Sequence, residues 1–141
     1  MFDEYFERLE IGRVLISRVE ALYEMYTSLV PATRVPHIFL ENSIGADGAR
    51  QWGSMWVYGP EYAGELKNFR LETKFDGVAL TSIERWECTT ENFTIGQPAT
   101  SESRFHLSWS LGDITGEMPS TGANCEQLAS FFKDTILPLN S

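Results

Sequence analysis

The side chains best suited to acid/base chemistry at neutral pH are two histidines and one glutamate. The two histidines of the chain are His37 and His106, and the histidine side chain is the one whose ordinary pKa lies near neutral pH. His106 falls on the polar side of a predicted strand, where it is either a solvated or locally hydrogen-bonded residue or a general base. Glu84 interrupts the apolar side of another predicted strand, where desolvation would favour its protonated form unless a bulge or a basic neighbour relieves it. Glu84 and His106 are the candidate catalytic pair.

Aromatic side chains form a second group with a potential binding role. Trp52, Trp56 and Tyr58 share one side of a predicted strand, and Trp86 ends another. Large rings inside a small sheet usually belong to the core. The alternative is that they line a cavity between the sheet and the N-terminal helix, which would hold a flat, apolar or aromatic ligand. These four residues are the candidate ligand-binding residues.

Motifs of the common enzyme and cofactor classes are missing. The sequence has no glycine-rich dinucleotide or phosphate loop, no His-Glu-x-x-His, no Gly-x-Ser-x-Gly and no calcium loop. Cys88 and Cys125 form no Cys-x-x-Cys pair, which favours buried free thiols over a zinc or redox site. We therefore expect no metal and no cofactor, and we favour a protein without catalytic activity.

The net charge of the chain argues against some classes of binding partner. Twenty acidic and eleven basic side chains give a formal net charge of -9, and the resulting negative field repels phosphate backbones and anionic lipid head groups. No apolar run approaches the roughly 20 residues that span a bilayer, and the first residues lack the pattern of a secretory signal. We expect a soluble, cytoplasmic protein that binds neither nucleic acid nor membranes.

The N-terminal region, residues 3–30, is predicted to be one long helix with an irregularity near Gly12. Its early apolar residues point about 100° away from the stripe that follows. These early residues are Phe2, Tyr5, Phe6 and Leu9. The later stripe comprises Leu15, Ile16, Val19, Leu22, Tyr23, Tyr26, Leu29 and Val30. We expect a kink, a bulge or a separate arm over residues 1–12, whose four apolar side chains pack on another surface or bind a partner or a twin subunit.

From Val35 onward, alternation with a period of two predicts a mostly antiparallel sheet. Asp76-Gly77 is predicted to be a two-residue turn in a hairpin over residues 68–86, with Leu71 and Leu80 facing the core.

A second hairpin is predicted around Gly112-Asp113. In its register Leu107 faces Met118, and Trp109 lies over Gly116. These apolar side chains are therefore expected to be buried.

A C-terminal helix is predicted from Asn124 to about Leu137, with Asn124 and Gln127 forming a capping box. Its apolar stripe is Cys125, Leu128, Phe132 and Ile136. The chain is thus predicted to be a single α+β domain over residues 1–141, with a long kinked N-terminal helix, a curved antiparallel sheet of six or seven strands and one C-terminal helix. The order of elements resembles pleckstrin-homology-like barrels or, in its leading helix, cystatin-like folds, without a shared motif.

Three classes of function follow. A non-catalytic, acidic protein-binding module, such as an adaptor, an inhibitor or a chaperone-like protein, is favoured by the charge and by the missing catalytic motifs. Its partner would be another protein or a second copy of the chain. The alternatives are a carrier of a small apolar or aromatic ligand and an enzyme that uses Glu84 and His106.

Overall fold

The computed structural model describes residues 2–29, 37–59, 62–67, 74–79 and 83–139. Within these ranges two N-terminal helices, α1 (Asp3–Leu9) and α2 (Arg13–Leu29), precede seven strands and the C-terminal helix α3 (Asn124–Phe131). No helix within these ranges is long and apolar enough to cross a bilayer. The fold is α+β, and all of its strand pairs are antiparallel.

The strands form two sheets, whereas the sequence predicted one curved sheet. The first has the order β1-β2-β3-β4 and the second the order β5-β6-β7. The strands of the first sheet are β1 (His37–Ile44), β2 (Arg50–Gly59), β3 (Tyr62–Lys67) and β4 (Lys74–Ala79). Those of the second are β5 (Arg85–Glu91), β6 (Arg104–Leu111) and β7 (Ile114–Thr121).

The prediction of a single curved, barrel-like or cystatin-like sheet is therefore wrong. The sheets meet where the side chain of Asn42 bonds β7. Its Oδ1 accepts from the Thr121 N–H at 2.8 Å, and its Nδ2 donates to the Thr121 carbonyl at 3.4 Å. Because a side chain makes this junction, no backbone ladder joins β1 to β7 in the described part of the chain.

The N-terminal region forms two helices, so the prediction of one long helix is also wrong. Glu10 ends α1 in the left-handed conformation, with φ 55° and ψ 43°. The break turns the apolar side of α1 towards α2 and the first sheet. Both stripes consequently enter one apolar cluster, and the expectation that they need separate surfaces fails. This cluster includes Tyr5, Phe6, Leu9, Val19, Leu22 and Tyr26.

The predicted Asp76-Gly77 turn does not form. These residues lie inside β4, where Asp76 pairs with Glu65 and Gly77 pairs with Gly64. Gly64 lies within β3, and the Tyr26 ring occupies the space that a Cβ at this position would need. A glycine inside a strand often marks such a close approach. Leu71 and Leu80, the predicted core residues of this hairpin, lie outside the described residues.

The Gly112-Asp113 hairpin is confirmed. Leu107 pairs with Met118, and Trp109 pairs with Gly116. The indole of Trp109 occupies the space of the missing Gly116 side chain. Leu107, Trp109 and Met118 are all buried, so the turn and the alternation together predicted this register correctly.

The first sheet separates two apolar clusters. One face packs against α1 and α2 through residues such as Leu40 and Val57. The opposite face packs against α3 and the second sheet through Phe39, Trp56 and Tyr58. The second sheet therefore has one face turned to the core and one turned away from it.

The helix α3 begins where predicted, but the predicted capping box of Asn124 and Gln127 does not form. Ala123 occupies the N-cap position without a side-chain cap. Asn124 instead donates to the Leu40 carbonyl at 2.6 Å, and Gln127 donates to the Ile38 carbonyl at 2.8 Å. Both side chains are used to bond the edge of β1, whose backbone polar groups would otherwise be left without partners.

Beyond α3 the chain continues through a π-helical segment (Phe132–Ile136) and a last turn, α4 (Leu137–Leu139). Pro138 has no N–H to donate to the carbonyl four residues earlier, and its ring would clash with that group. A widened turn before Pro138 relieves this conflict. The predicted apolar stripe is confirmed, since its four members are buried: Cys125, Leu128, Phe132 and Ile136.

Candidate functional site

The second sheet has one face that points away from the core and is lined mainly by polar side chains. Cross-strand pairing arranges them in four rows. The rows are Arg85, Ser110 and Thr115; Glu87, Ser108 and Glu117; Thr89, His106 and Pro119; and Glu91, Arg104 and Thr121. We call this surface the outer face. Both signs of charge are interspersed on it, so a docking protein would meet hydrogen-bonding groups of either kind.

His106 lies near the middle of the outer face and contacts Glu117. Its Nε2 is 2.9 Å from the Glu117 carboxylate, and the two side chains are 46% and 63% exposed. Exposed pairs of this kind contribute little to stability. The two groups are therefore accessible to another molecule at little cost.

The structure does not bring Glu84 and His106 together. Glu84 is exposed in a bend before β5, and its N–H donates to the Ser110 carbonyl. Ser110 is four residues from His106 along β6, which corresponds to about 13 Å. The desolvated environment considered for Glu84 depended on the Asp76-Gly77 register and is not found, since the side chain is exposed.

β5 is an edge strand. Among the described residues no strand bonds its side opposite β6, and six of its seven residues are exposed. Such an edge presents a row of backbone N–H and C=O groups to which another strand can pair. Trp86 is 39% exposed here, although its ring contacts Phe132 with centroids 4.9 Å apart. We call this open side of the strand the β5 edge.

A cleft of about 330 Å³ opens at one end of the outer face, next to β1. Its walls combine hydroxyl groups of β5 with Arg104, His106, Pro119 and the exposed Ile44. A concave site of mixed polarity can hold one side chain of a docked protein. The cleft adjoins the β5 edge because Thr89, Thr90 and Glu91 line it.

The four candidate ligand-binding residues have different surroundings. Trp56 and Tyr58 are buried between the sheets, where the Trp56 ring lies 6.0 Å from that of Trp109. Trp52 is half-buried against the opposite cluster, because an irregularity between Leu40 and Asn42 shifts the pairing of β1 with β2. Trp86 lies at the β5 edge. The aromatic wall predicted for a carrier is thus divided.

The predicted partner-binding residues are covered within the chain. Tyr5, Phe6 and Leu9 are buried, and Phe2 packs edge-on against Tyr23 with centroids 4.9 Å apart. An exposed apolar stripe lies instead on α2. Its members Val14, Met25 and Leu29 are 87%, 43% and 65% exposed. Leu29 was predicted to lie on the buried stripe, so that assignment is wrong.

A polar network inside the fold was missed by sequence reasoning. The Tyr5 hydroxyl donates to Asn124 Oδ1 at 2.7 Å and accepts from the Leu40 N–H at 2.8 Å. Burial raises the pKa of Tyr5, which keeps this hydroxyl protonated and able to donate. Asn124 also donates to Asn42 Oδ1 at 2.8 Å. The available sequence signal was Glu41-Asn42, two polar residues that directly follow the apolar run Ile38-Phe39-Leu40 in β1.

Glu41 has a structural role as well. Its carboxylate accepts from the Trp56 indole N–H at 2.6 Å, and the residue is buried. Burying a carboxylate requires such compensation by hydrogen bonds. Glu41 therefore helps to fix the orientation of the Trp56 ring in the core.

A second cleft, of about 290 Å³, collects Arg8 and Arg50 between α1, β2 and the turn before α3. Two arginines in an acidic chain suggest an anion site. However, Arg50 donates to the Leu9 carbonyl at 2.8 Å and to the Glu10 carboxylate at 3.0 Å. Its donors hold the end of α1 to β2, which is a structural role.

The two thiols are free. Burial raises the pKa of Cys88 to about 11 and also raises that of Cys125. In the described ranges no three His, Cys, Asp or Glu side chains are grouped so that they could hold a metal ion.

Comparison with known proteins assigns no relatives. No family model matches the sequence, and it has no match among curated proteins or solved structures.

Proposed function

We propose that this chain is a non-catalytic protein-binding module that docks its partner along the β5 edge and the adjoining outer face. The observation that carries the proposal is that, among the described residues, no strand bonds β5 on its side opposite β6, and that six of the seven residues of β5 are exposed. An extended segment of a partner would pair with the backbone of β5, which is a common mode of peptide recognition. Natural edge strands of this length are usually blocked or paired.

Specificity would come from side chains beside that edge. Arg85, Glu87, Thr89 and Glu91 alternate along β5 on the outer face, so a paired partner strand would meet a defined order of charges and hydroxyls. The cleft next to Thr89 would take a partner side chain.

The other two functions have less support. A carrier would need the aromatic rings to face one cavity, whereas Trp56 is packed in the core and Trp86 lies at an edge. An enzyme would need Glu84 and His106 within reach of one substrate, and they lie about 13 Å apart along the strand.

The proposal can be tested by capture from the source cells with two charge variants. Glu87→Lys/Glu91→Lys changes the β5 edge, and Glu4→Lys/Glu7→Lys makes the same change of net charge on the exposed side of α1. If partners dock at β5, only the first variant should lose proteins that the wild type retains, as measured by quantitative mass spectrometry.

Equal loss with both variants would show that only overall charge matters. Full retention with the β5 variant would contradict docking at β5. Circular dichroism of each variant checks that the fold is intact.

A further inference from the structure

We propose that the partner of the β5 edge is a second copy of this chain, paired antiparallel through β5 with Cys88 on the two-fold axis. The inference rests on the proposed docking through β5. It adds a defined register and a defined partner, both of which follow from the residues along the strand.

The register follows from the sequence of β5. When Cys88 faces Cys88 of the second copy, all seven residues of each strand are paired. Arg85 then lies opposite Glu91, at both ends of the interface, and Glu87 lies opposite Thr89. Opposite charges directly across a strand pair are favourable, and like charges are unfavourable.

Neighbouring registers are worse. Centring on Glu87 places this carboxylate against its own copy. Centring on Thr89 places Glu87 opposite Glu91 twice. Centring on Trp86 matches Arg85 with Glu87 but pairs only three residues of each strand within the bounds of β5. The strand is therefore self-complementary in one register that uses its full length.

The inner side of β5 agrees with this arrangement. In the Cys88 register, Trp86 lies opposite Thr90 of the second copy, and an aromatic ring beside a β-branched residue is a favourable cross-strand pair. Trp86 is 39% exposed in the single chain. Pairing would cover it and would join the two outer faces into one six-stranded surface.

Exchanging the charges at positions 85 and 91 tests the register of the two paired strands. Arg85→Glu and Glu91→Arg should each weaken dimerisation by on the order of tenfold, because each single change turns two symmetry-related attractive pairs into repulsive ones. The double variant Arg85→Glu/Glu91→Arg restores opposite charges across the interface and should dimerise nearly as well as the wild type. Sedimentation equilibrium gives the dissociation constants.

Cysteine cross-linking provides a second measurement. In the Cys88 register the two Cys88 Cα atoms would be about 4.5 to 5.5 Å apart, which a disulfide can bridge. In a Cys125→Ser background, mild oxidation near pH 9 should therefore give a covalent dimer. The matched control Cys88→Ser/Thr89→Cys should not, since its two thiol positions would be about 8 Å apart between Cα atoms.

Self-pairing would be overturned by a wild type that stays monomeric at high concentration, by a double variant no better than the single ones, or by cross-linking through Thr89→Cys in place of Cys88. A monomeric chain that still loses captured proteins through Glu87→Lys/Glu91→Lys would contradict self-pairing and leave docking at β5 intact. The two proposals can thus fail separately.

Discussion

The hydroxyl group of Tyr5 connects three elements of the fold. It bonds the backbone of β1 at Leu40 and the side chain of Asn124 on α3, while Tyr5 itself belongs to α1. Buried polar networks of this kind stabilise one arrangement of elements when every member is satisfied. The network explains how α1 and α3, which pack on different sides of the first sheet, are both fixed to the same strand.

Replacing Tyr5 by phenylalanine should lower the free energy of unfolding by about 2 to 4 kcal/mol, because it leaves the Leu40 N–H and Asn124 Oδ1 without their partner. Asn124→Ala should be of similar cost. The double variant should cost less than the sum of the two, since both belong to one network. Urea denaturation of the wild type, the two single variants and the double variant gives the free energies of this double-mutant cycle. Strictly additive losses of stability would contradict a shared network.

Cys88 should react slowly with iodoacetamide in the native protein. Burial disfavours its thiolate and raises the pKa to about 11, so the thiolate fraction rises about tenfold per pH unit from pH 8 to pH 10. The alkylation rate, followed by mass spectrometry, should rise with it. Cys125, which is fully buried, should stay unmodified until the chain unfolds. A rate for Cys88 that levels off near pH 9 would contradict the assigned environment.

At the scale of elements, α1 is part of the core. Tyr5, Phe6 and Leu9 are 5%, 2% and 4% exposed, and each buried side chain of this size stabilises by about 1.5 to 3 kcal/mol. The helix is short, yet its removal would expose these side chains and open the cluster that they share with α2 and the first sheet.

Deleting residues 1–10 should therefore unfold the chain or leave it without a cooperative thermal transition. Circular dichroism and thermal melting measure this outcome. The control Glu4→Ala/Glu7→Ala changes only exposed positions of the same helix and should melt near the wild-type temperature. A truncated chain that melts cooperatively at the wild-type temperature would show that α1 is dispensable.

Local signals were sufficient for some elements and insufficient for others. The Gly112-Asp113 hairpin was predictable because its turn and both of its strands are adjacent in sequence. Asp76-Gly77 carries the same turn signal but lies inside β4, which pairs with β3 in the register that sets Gly77 against Gly64. The close approach of Tyr26 to Gly64 joins residues far apart in sequence. Alternation along the chain contains no information about that contact.

The candidate site, too, could be predicted from local sequence signals only in part. That Trp109 and Leu107 point to the core follows from alternation, and so does the polar character of the outer face. That β5 forms the edge of its sheet depends on the order of strands in space, which turns and periodicity do not determine. Glu84 was singled out by a register that does not form, and β5 was overlooked for the same reason.

At the scale of the whole molecule, the two sheets differ in how much of their surface is covered by other elements. The first is covered on one face by α1 and α2 and on the other by α3 and the second sheet. The second sheet has one covered face, the outer face and the β5 edge. A partner that pairs with β5 would extend this sheet without disturbing either apolar cluster, so binding requires no rearrangement of the core.

Hydrogen–deuterium exchange of the chain alone and in the complex captured from its source cells tests the central claim most directly. Docking along the β5 edge predicts that those amides of residues 85–91 that are not bonded to β6, about every second one, become protected in the complex, because they acquire partners in place of solvent. Peptides from α2, residues 13–29, should change little. Unchanged exchange in β5 together with new protection on α2 would contradict the account and would assign binding to the exposed stripe of Val14, Met25 and Leu29.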